Sequence, residues 1–377
     1  MRVLLDGRAI GEEPTGVGSY ALHLARELPR VGVELLLFGP NERQLRKHGL
    51  EPRPGRLEVV PELRSPMSLT GHRRLRRIAA DTGCRLCHCP YLPFPFFWSG
   101  LPLVVTVHDL IPLLDRTWVA QSAKGKYSFV FRAYHRRIVQ TATRIVTVSG
   151  HSAGDLTRLF PAAAGKTEVV HNGVLVQPSV ADEVVAAELA RLGVRPPYFL
   201  YVGRRDPYKK LGLLLEAFSS IRDRVPVQLV LVSPPDARYP EVAARLGRPD
   251  LRDRVLDLGY VPELGLRALY QRADLLVHPS IYEGFGLTLL EAMSHGTPVL
   301  ACRAASVPEV VGDAAVLVEP DDQAGFADAM ARLWQDSGER TRLTRLGTRR
   351  VVDFSWGRCA RETAEVYSRS LTAGGRR

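Results

Sequence analysis

The sequence predicts an α/β protein with two doubly wound domains, each built on a parallel β-sheet that is covered by helices on both faces. Short β-branched segments alternate with segments of helical period along the chain, and the links between them are short. This alternation is the order that produces parallel sheets. The chain has 377 residues, and at roughly 150 residues per domain this length indicates about two domains.

Strands are expected where apolar and β-branched residues cluster. The predicted strands are 2–6, 33–38, 85–89, 103–107, 144–148, 167–170, 198–202, 227–232, 254–258, 274–277 and 298–301. Between them, apolar residues recur with helical spacing, as in the series Leu211, Leu214, Leu215 and Phe218. The segments are long enough to cover both faces of each sheet.

A Gly- and Pro-containing break at 173–197 marks the predicted domain boundary. We expect a first domain over 1–175, a linker over 176–197 with one modest helix around 182–192, and a second domain over 198–355, followed by a helix and tail over 356–377. Doubly wound sheets bind ligands at the carboxyl ends of their strands. The two domains are therefore expected to face each other across a cleft that holds the ligands.

Composition and the N-terminus bound the class of protein. Hydrophobic residues make up 45% and charged residues 24% of the chain, an ordinary composition for a soluble protein. No apolar run approaches the roughly 20 residues that span a bilayer. Asp6 interrupts the N-terminus before a signal-like apolar region can form. We expect a cytosolic protein.

The five cysteines are odd in number and their spacing suggests no disulfide framework. Cys84, Cys87, His88 and Cys89 are close in sequence, and they could form a zinc site or be buried in the core. A strand points alternate side chains to opposite faces, which disfavours a tetrahedral set of ligands. We therefore interpret these cysteines as small buried hydrophobes and predict no metal.

The net charge of +11 is concentrated in two segments. Arg73–Arg77 is interleaved with Leu75 and Ile78, and the basic residues of 124–137 are interleaved with aromatic ones. Such a pattern suits a helix on an anionic membrane surface, and it equally suits a solvated face. Nucleic acid is disfavoured, because the sequence has no zinc-finger spacing and no RNP-type motif.

Three glycine-containing segments carry the chemistry, and the first begins at Gly16. Residues 16–21 formally match the dinucleotide fingerprint, but a loop separates Gly16 from the first strand and no acid ends the second strand. What remains is a glycine turn that opens a helix. An anion could bind there, or the glycine could only permit close packing.

The second segment, 203–210, directly follows the strand 198–202. Arg204 and Lys209 lie five positions apart on a loop that enters a helix. A forked guanidinium and a point-charge ammonium suit a diphosphate. Basic loops are also commonly no more than solvated.

The third segment, 279–293, follows the strand 274–277 and contains Gly284 and Gly286. A helix predicted to begin near Leu287 would direct free amides at a phosphate. Glu291 lies about one turn inside this helix, within reach of a diol, and Glu283 precedes the glycines. The two carboxylates could also be the acid and base of a hydrolase, since sequence alone does not give their separation.

With these segments the chain resembles the family 4 (group 1) retaining glycosyltransferases of the GT-B fold. The resemblance rests on these three segments together with 105–109, 148–152, 171–174 and 296–299, and it covers nearly the whole chain in order. Its most diagnostic part is the pair Glu283 and Glu291 in an E-G-F-G-L setting.

The resemblance implies that the second domain binds the nucleotide sugar. It assigns Glu291 to the donor ribose and Glu283 to the transferred sugar. It implies that Arg204 and Lys209 bind the diphosphate of the donor. The amides at Phe285, Gly286 and Leu287 would assist there, and the turn at Tyr260 and Val261 would meet the base.

In the first, acceptor-binding domain the resemblance places His108 against the donor sugar and Gly16 beside the phosphates or the acceptor. It also implies that the C-terminal helix of about 356–371 crosses back to this domain. Without the resemblance, His108 at a strand end could equally be a buried structural histidine.

The expected function is metal-independent, retaining transfer of a hexosyl group from GDP-mannose or a UDP-sugar to an acceptor hydroxyl, with the mannosyltransferase branch favoured. The acceptor stays open between lipid, oligosaccharide and small aglycone. Contact with an anionic membrane would place the protein at the inner face of the membrane. Two alternatives remain: a nucleotide-sugar epimerase of the same fold, and a non-catalytic homologue that binds a membrane or partner.

Overall fold

The computed structural model describes residues 1–12, 16–66, 68–91, 98, 100–115, 117–119 and 128–374. They form two compact units. The first unit comprises the described residues of Met1–Leu113, Tyr127–Gly173 and Phe354–Arg377, and the second comprises those of Leu114–Lys126 and Val174–Asp353. Each unit has its own apolar core.

The first unit contains a parallel sheet with the strand order β3-β2-β1-β4-β5-β6-β7. Its strands are β1 (Arg2–Asp6), β2 (Glu34–Gly39), β3 (Leu57–Pro61), β4 (Leu86–Cys89), β5 (Leu103–Val107), β6 (Arg144–Thr147) and β7 (Thr167–Val169). Its α-helices are Val17–Glu27, Glu42–Lys47, Leu69–Asp81, Ser128–Thr141, Gly150–Leu159 and Trp356–Gly374, with the short helix Ile111–Leu114 at the border of the two units.

The C-terminal helix Trp356–Gly374 is part of the first unit's core. Trp356, Val366 and Tyr367 are buried among the side chains of β1, β2 and the helix Val17–Glu27. Gly173 allows this arrangement, because a Cβ atom there would clash with the backbone nitrogen of Trp356. The Asn172-Gly173 pair thus marks a close approach of two backbone segments.

The second unit contains a parallel sheet with the strand order β10-β9-β8-β11-β12-β13. Its strands are β8 (Tyr198–Val202), β9 (Gln228–Val232), β10 (Val255–Asp257), β11 (Leu275–His278), β12 (Val299–Cys302) and β13 (Ala315–Val318). Its α-helices are Asp182–Leu192, Leu211–Ile221, Pro240–Leu246, Pro249–Arg252, Glu263–Arg272, Leu287–Ser294, Val307–Val311, Gln323–Gln335 and Ser337–Val351.

The prediction of two doubly wound parallel α/β domains is confirmed. Two strands, β3 and β13, were not predicted, and both lie at an edge of their sheet. Their side chains are mostly half-buried. In β3, Glu58 and Pro61 weaken the apolar signal, whereas β13 is apolar throughout and its pattern could have predicted it.

The segment 176–197, expected as a linker with a helix around 182–192, contains the helix Asp182–Leu192, and this helix belongs to the second unit. Val185 and Leu189 are its buried residues, and this helix packs against the helix Glu263–Arg272. A hydrogen bond from the Gln271 amide to the carbonyl of Val180 adds to the contact.

The two basic segments differ in what they expose. Leu75, which is interleaved with the arginines of Arg73–Arg77, is fully buried, and the apolar side of the helix Leu69–Asp81 therefore packs inward. In the helix Ser128–Thr141, Phe129 is 71% exposed, and Arg132 and Arg136 are exposed too. Among the described helices, none has the length and apolar character needed to cross a membrane.

Candidate active site

The candidate site of the second unit forms where the strand order of its sheet reverses. Strand β8 lies beside β11, and the chain runs outward from this pair in both directions. The loop after β8 carries Arg204 and Lys209, and the loop after β11 carries Glu283. Loops at the carboxyl ends of two strands at such a reversal form the ligand crevice of doubly wound sheets. The topology therefore brings the second and third glycine segments together.

Lys209 and Glu283 form the central contact of this site. The Lys209 ammonium lies 2.6 Å from Oε1 of Glu283, and Nε2 of His278 lies 2.8 Å from the same oxygen. All three side chains are at least four-fifths buried. Burial alone raises the pKa of Glu283, but the Lys209 charge and the His278 hydrogen bond outweigh it and hold this pKa well below its usual range.

The backbone around Glu283 is fixed by Ser306 and shaped by Gly286. The buried Ser306 hydroxyl lies 2.9 Å from the carbonyl oxygens of both Glu283 and Phe285. Gly286 has φ 101°, a conformation that favours glycine. The helix Leu287–Ser294 begins directly after it, and its N-cap residue, Gly286, has no side chain that could cap the first turn. Its N-terminus is thus available to an anion.

Glu291 lies in this helix and has a different environment. Its Oε2 accepts a hydrogen bond of 3.1 Å from the Tyr270 hydroxyl. Burial raises the pKa of Glu291, and the Tyr270 hydrogen bond offsets only part of that effect. No cation pairs with Glu291 among the ion pairs of the described chain. The carboxylate is therefore a strong acceptor that lacks a charged partner.

The two neighbouring arginines after β8 have separate functions. Arg204 has a side chain that is 65% exposed and lies 2.7 Å from the Asp206 carboxylate. Arg205 is buried, and it donates to the carbonyl of Ser233 and to the Asp257 carboxylate. Arg205 thereby ties the ends of β8, β9 and β10 together. Arg204 is the arginine that can reach a ligand.

The turn at Tyr260 and Val261 follows β10, and it therefore also lies at the carboxyl ends of the strands of this sheet. Tyr260 is 64% exposed, whereas Val261 is buried. Of the predicted donor residues, the structure brings Lys209 and Glu283 into contact. It places Arg204, Tyr260, Val261, Phe285, Gly286, Leu287 and Glu291 on loops or a helix at the carboxyl edge of that sheet.

In the first unit, His108 follows β5 and is held by its neighbours. Its Nε2 lies 2.9 Å from the carbonyl oxygen of Pro90, and the Tyr20 ring packs edge-on against it at 4.8 Å. A carbonyl only accepts, so Nε2 carries the proton. Burial lowers the pKa of His108, which keeps the ring neutral near pH 7. Nδ1 is therefore a hydrogen-bond acceptor.

A buried polar chain links this region to the C-terminal helix. The Tyr20 hydroxyl meets Thr106 at 3.2 Å, Thr106 meets Nε2 of His88 at 2.8 Å, and Nδ1 of His88 meets the Tyr367 hydroxyl at 2.6 Å. Burial lowers the pKa of His88 to about 3, so the ring is neutral. His88 is thus a structural hydrogen-bonding residue.

Gly16 precedes the helix Val17–Glu27 with φ 52° and ψ −113°, a conformation that favours glycine. The space where its Cβ atom would lie is open. These features leave both predicted interpretations in place, a binding turn and a simple helix start.

The cysteine cluster is buried, and burial raises the pKa of Cys84 and Cys87. Across the part of the chain that the structure describes, no three His, Cys, Asp or Glu side chains are grouped so that they could hold a metal ion.

Sequence reasoning missed two residues of the second unit's site, His278 and Ser306. His278 is the last residue of β11, and a polar residue that ends an apolar strand five positions before Glu283 is a signal that could have been used. Ser306 lies 23 residues from Glu283. Its contact depends on the packing of β12 beside β11, so local sequence gives no sign of it.

Comparisons with known proteins agree with this architecture. Residues 14–177 match the family model of Glycosyltransferase Family 4, and residues 196–336 match that of Glycosyl transferases group 1. The chain is 29% identical to O-antigen chain mannosyltransferase B of Escherichia coli, over 97% of this chain and 99% of that protein. It is 29% identical to MMP alpha-(1->4)-mannosyltransferase of Mycolicibacterium hassiacum, over 94% and 95%.

A third relative, D-inositol 3-phosphate glycosyltransferase of Salinispora arenicola, is 33% identical over 73% of this chain, and the match spans 65% of that protein. Among solved structures, a glycosyltransferase from Rickettsia africae has a TM-score of 0.75 at 16% identity, with 98% of both chains covered. Anabaena Alr3699/HepE in complex with UDP and glucose also has a TM-score of 0.75, at 20% identity over 98% of this chain and 99% of that one. The chain therefore belongs to the family 4, group 1 glycosyltransferases and has the GT-B fold.

Proposed function

We propose that this glycosyltransferase moves a hexosyl group from a nucleoside diphosphate sugar to an acceptor hydroxyl, with retention of the anomeric configuration. The observation that carries the proposal is the 2.6 Å contact between Lys209 and Glu283, four residues before the N-terminus of the helix Leu287–Ser294. A cation and a helix N-terminus bind phosphate, and a carboxylate binds sugar hydroxyls.

The donor diphosphate is held by charge and by backbone amides. Lys209 and Arg204 supply the cations, and the amides at Phe285, Gly286 and Leu287 supply donors at the start of the helix. These groups neutralise the negative charge that grows on the departing diphosphate. The sequence contains no Asp-x-Asp pair of the kind that chelates a diphosphate-bound cation. We expect turnover to persist in EDTA; loss that magnesium or manganese restores would contradict metal independence.

The nucleoside binds at the same sheet edge. The charged, uncompensated carboxylate of Glu291 accepts from the ribose hydroxyls, and the turn at Tyr260 and Val261 meets the base. This assignment is supported by the position of Glu291 in the helix Leu287–Ser294 and by its ion pairing, since none of the ion pairs among the described residues includes it; burial raises its pKa.

The transferred sugar is bound by Glu283, and the resemblance adds His108 and Gly16 from the first unit. In His108, the proton on Nε2 leaves Nδ1 to accept a sugar hydroxyl. Glu283 is paired with Lys209 and His278, which makes it a weak nucleophile. We therefore infer substitution on the front face of the sugar, in which the departing phosphate oxygen takes the acceptor's proton.

The relatives favour a mannosyl donor. Two of them that align over nearly their full length are named as mannosyltransferases, which supports GDP-mannose, whereas a structural neighbour was solved with UDP-glucose. The acceptor, whether lipid, oligosaccharide or small aglycone, depends on the first unit.

Proton NMR of GDP-mannose and UDP-glucose with the protein and no acceptor tests the proposal. A transferase that holds its donor in the reactive geometry is expected to hydrolyse one of them slowly. Formation of an epimer would support the alternative of a nucleotide-sugar epimerase. An unchanged donor that also fails to stabilise the protein thermally would support a non-catalytic homologue. Stabilisation of roughly 2.7 kcal/mol is expected at a hundred times the dissociation constant.

Contact with an anionic membrane remains a second proposal, and the helix Ser128–Thr141 supports it. Exposed Phe129 beside exposed Arg132 and Arg136 joins an apolar residue to cations, each worth about 1 kcal/mol near an anionic surface. Co-sedimentation with phosphatidylserine vesicles should fall when Arg132 and Arg136 become glutamine. The matched change of Arg73 and Arg77 in the helix with the buried apolar side should have less effect. Equal binding by all variants would contradict the proposal.

A further inference from the structure

We propose that His278 is a positioning residue for Glu283. It holds one oxygen of the carboxylate in place and leaves the other to accept a hydroxyl of the donor sugar. The inference rests on the proposed function, and it adds a residue that neither the sequence motif nor the resemblance had singled out.

The two oxygens of the Glu283 carboxylate differ in their hydrogen-bond partners. The hydrogen bonds from Lys209 and His278 both end on Oε1, at 2.6 Å and 2.8 Å. Because the Glu283 carboxylate is ionised, it can only accept, and Nε2 of His278 must therefore carry a proton. Oε2 is the oxygen that keeps its lone pairs for a substrate hydroxyl.

The two donors to Oε1 differ in how firmly they are held. His278 is the last residue of β11, which lies between β8 and β12 in the sheet, and its side chain is 3% exposed. Lys209 lies in the one-turn helix Pro207–Lys209 and has a flexible four-carbon stem. The histidine is thus a fixed donor, whereas the ammonium can move.

Donor binding makes this difference matter. In the proposed function, Lys209 gives its charge to the diphosphate, which draws the ammonium toward the phosphates and weakens its contact with Glu283. The Ser306 hydroxyl continues to hold the backbone of Glu283, but it does not contact the carboxylate. His278 is then the residue that keeps the side chain of Glu283 oriented when the sugar is bound.

The test compares His278→Leu, which removes the donor, with His278→Gln, whose amide can donate from a similar position. The readouts are kcat for acceptor-free hydrolysis of GDP-mannose or UDP-glucose by proton NMR, and the Kd of GDP or UDP by calorimetry. Nucleoside diphosphates lack the sugar, so their affinity reports on the fold of the site without the function of Glu283.

For His278→Leu we expect kcat to fall on the order of 10- to 100-fold, as small misplacements of reacting groups do, with the Kd of the nucleoside diphosphate unchanged. His278→Gln should recover most of the lost kcat. The role would be overturned by wild-type kcat in His278→Leu, by equal losses in both variants, or by a rise in Kd that matches the loss of kcat. Failure of the wild-type protein to bind nucleoside diphosphates or consume either donor would instead overturn the proposed function.

Discussion

Two glutamates eight positions apart in the second unit have opposite environments. Glu283 lies on a loop and contacts the Lys209 ammonium and the His278 imidazole, which hold its pKa below the usual range although burial alone raises it. Glu291 lies in the following helix and contacts the Tyr270 hydroxyl, and burial raises its pKa. The first charge is compensated within the protein and the second is not.

In the proposed function, this difference separates the roles of two glutamates that look alike in the sequence. A carboxylate that two donors already hold is oriented but weakly nucleophilic, which suits the positioning of a sugar. A carboxylate without a charged partner gains most from hydrogen bonds with a ligand, which suits the binding of a ribose diol. Carboxylates whose environments push their pKa values apart commonly divide their roles in this way.

The largest effect is expected for Glu283→Gln. The amide cannot reproduce the placement of the sugar, so kcat should fall on the order of 100-fold. The Kd of GDP or UDP should stay the same or decrease, because Lys209 loses the carboxylate that competes with the diphosphate for its charge. Steady-state kinetics and calorimetry check this. A clear weakening of nucleoside diphosphate binding would show that Glu283 acts on the nucleotide instead.

Next in size are the effects of removing each cation. Lys209→Ala and Arg204→Ala should each weaken diphosphate binding by roughly 1.5–3 kcal/mol while leaving nucleoside binding nearly unchanged. Lys209 should show the larger loss, because its buried ammonium is at the centre of the site and Arg204 is 65% exposed. Calorimetry that finds the diphosphate affinity unchanged in both variants would remove the phosphate site from this loop.

A smaller effect on binding is expected for Glu291→Gln. The amide still accepts one hydrogen bond from the ribose, but the charge is lost, which costs about 1 kcal/mol. The KM for the donor should therefore rise by roughly fivefold, with kcat at saturating donor nearly retained. A loss that falls on kcat rather than on KM would indicate that the roles of the two glutamates are exchanged.

The smallest effects concern stability, and their signs are opposite. A lowered pKa means that Glu283 stabilises the fold above the ordinary glutamate pKa and loses this contribution as the pH falls. A raised pKa means that Glu291 contributes stability at low pH and loses it as the pH rises. We therefore compare the unfolding free energy of the wild type with that of each variant at pH 7 and pH 4. The advantage of the wild type over Glu283→Gln should decrease between pH 7 and pH 4, and its advantage over Glu291→Gln should increase. Urea unfolding at a series of pH values measures these differences. If the differences for both variants change in the same direction, the opposite environments of the two glutamates are contradicted.

Much of the fold follows from the sequence, because central strands of parallel sheets are continuous apolar runs. Strands such as Leu103–Val107 and Tyr198–Val202 have the bounds predicted for them. The edge strand Leu57–Pro61 was missed because Glu58 and Pro61 weaken its apolar signal. The edge strand Ala315–Val318 is a short run that is apolar throughout, and its pattern could have predicted it.

The parts of the candidate site that are formed by residues close together in the sequence could be predicted. The helix after Gly286 and the position of Glu291 one turn inside it follow from spacing alone. The partnership of Lys209 with Glu283 joins residues 74 positions apart, and it follows from the pairing of β8 with β11. Sequence spacing does not contain that pairing, so it could not show that Glu283 is already occupied by Lys209 and His278.

The stereochemistry of transfer tests most directly whether Glu283 positions the sugar or attacks it. Proton NMR of the linkage formed from an α-linked donor should show an α-linked product. Intact-protein mass spectrometry during turnover should show no glycosyl adduct, because in the proposed function Oε2 of Glu283, the oxygen that Lys209 and His278 leave available, accepts a sugar hydroxyl instead of attacking the anomeric carbon. A β-linked product, or a covalent adduct on Glu283, would contradict the account.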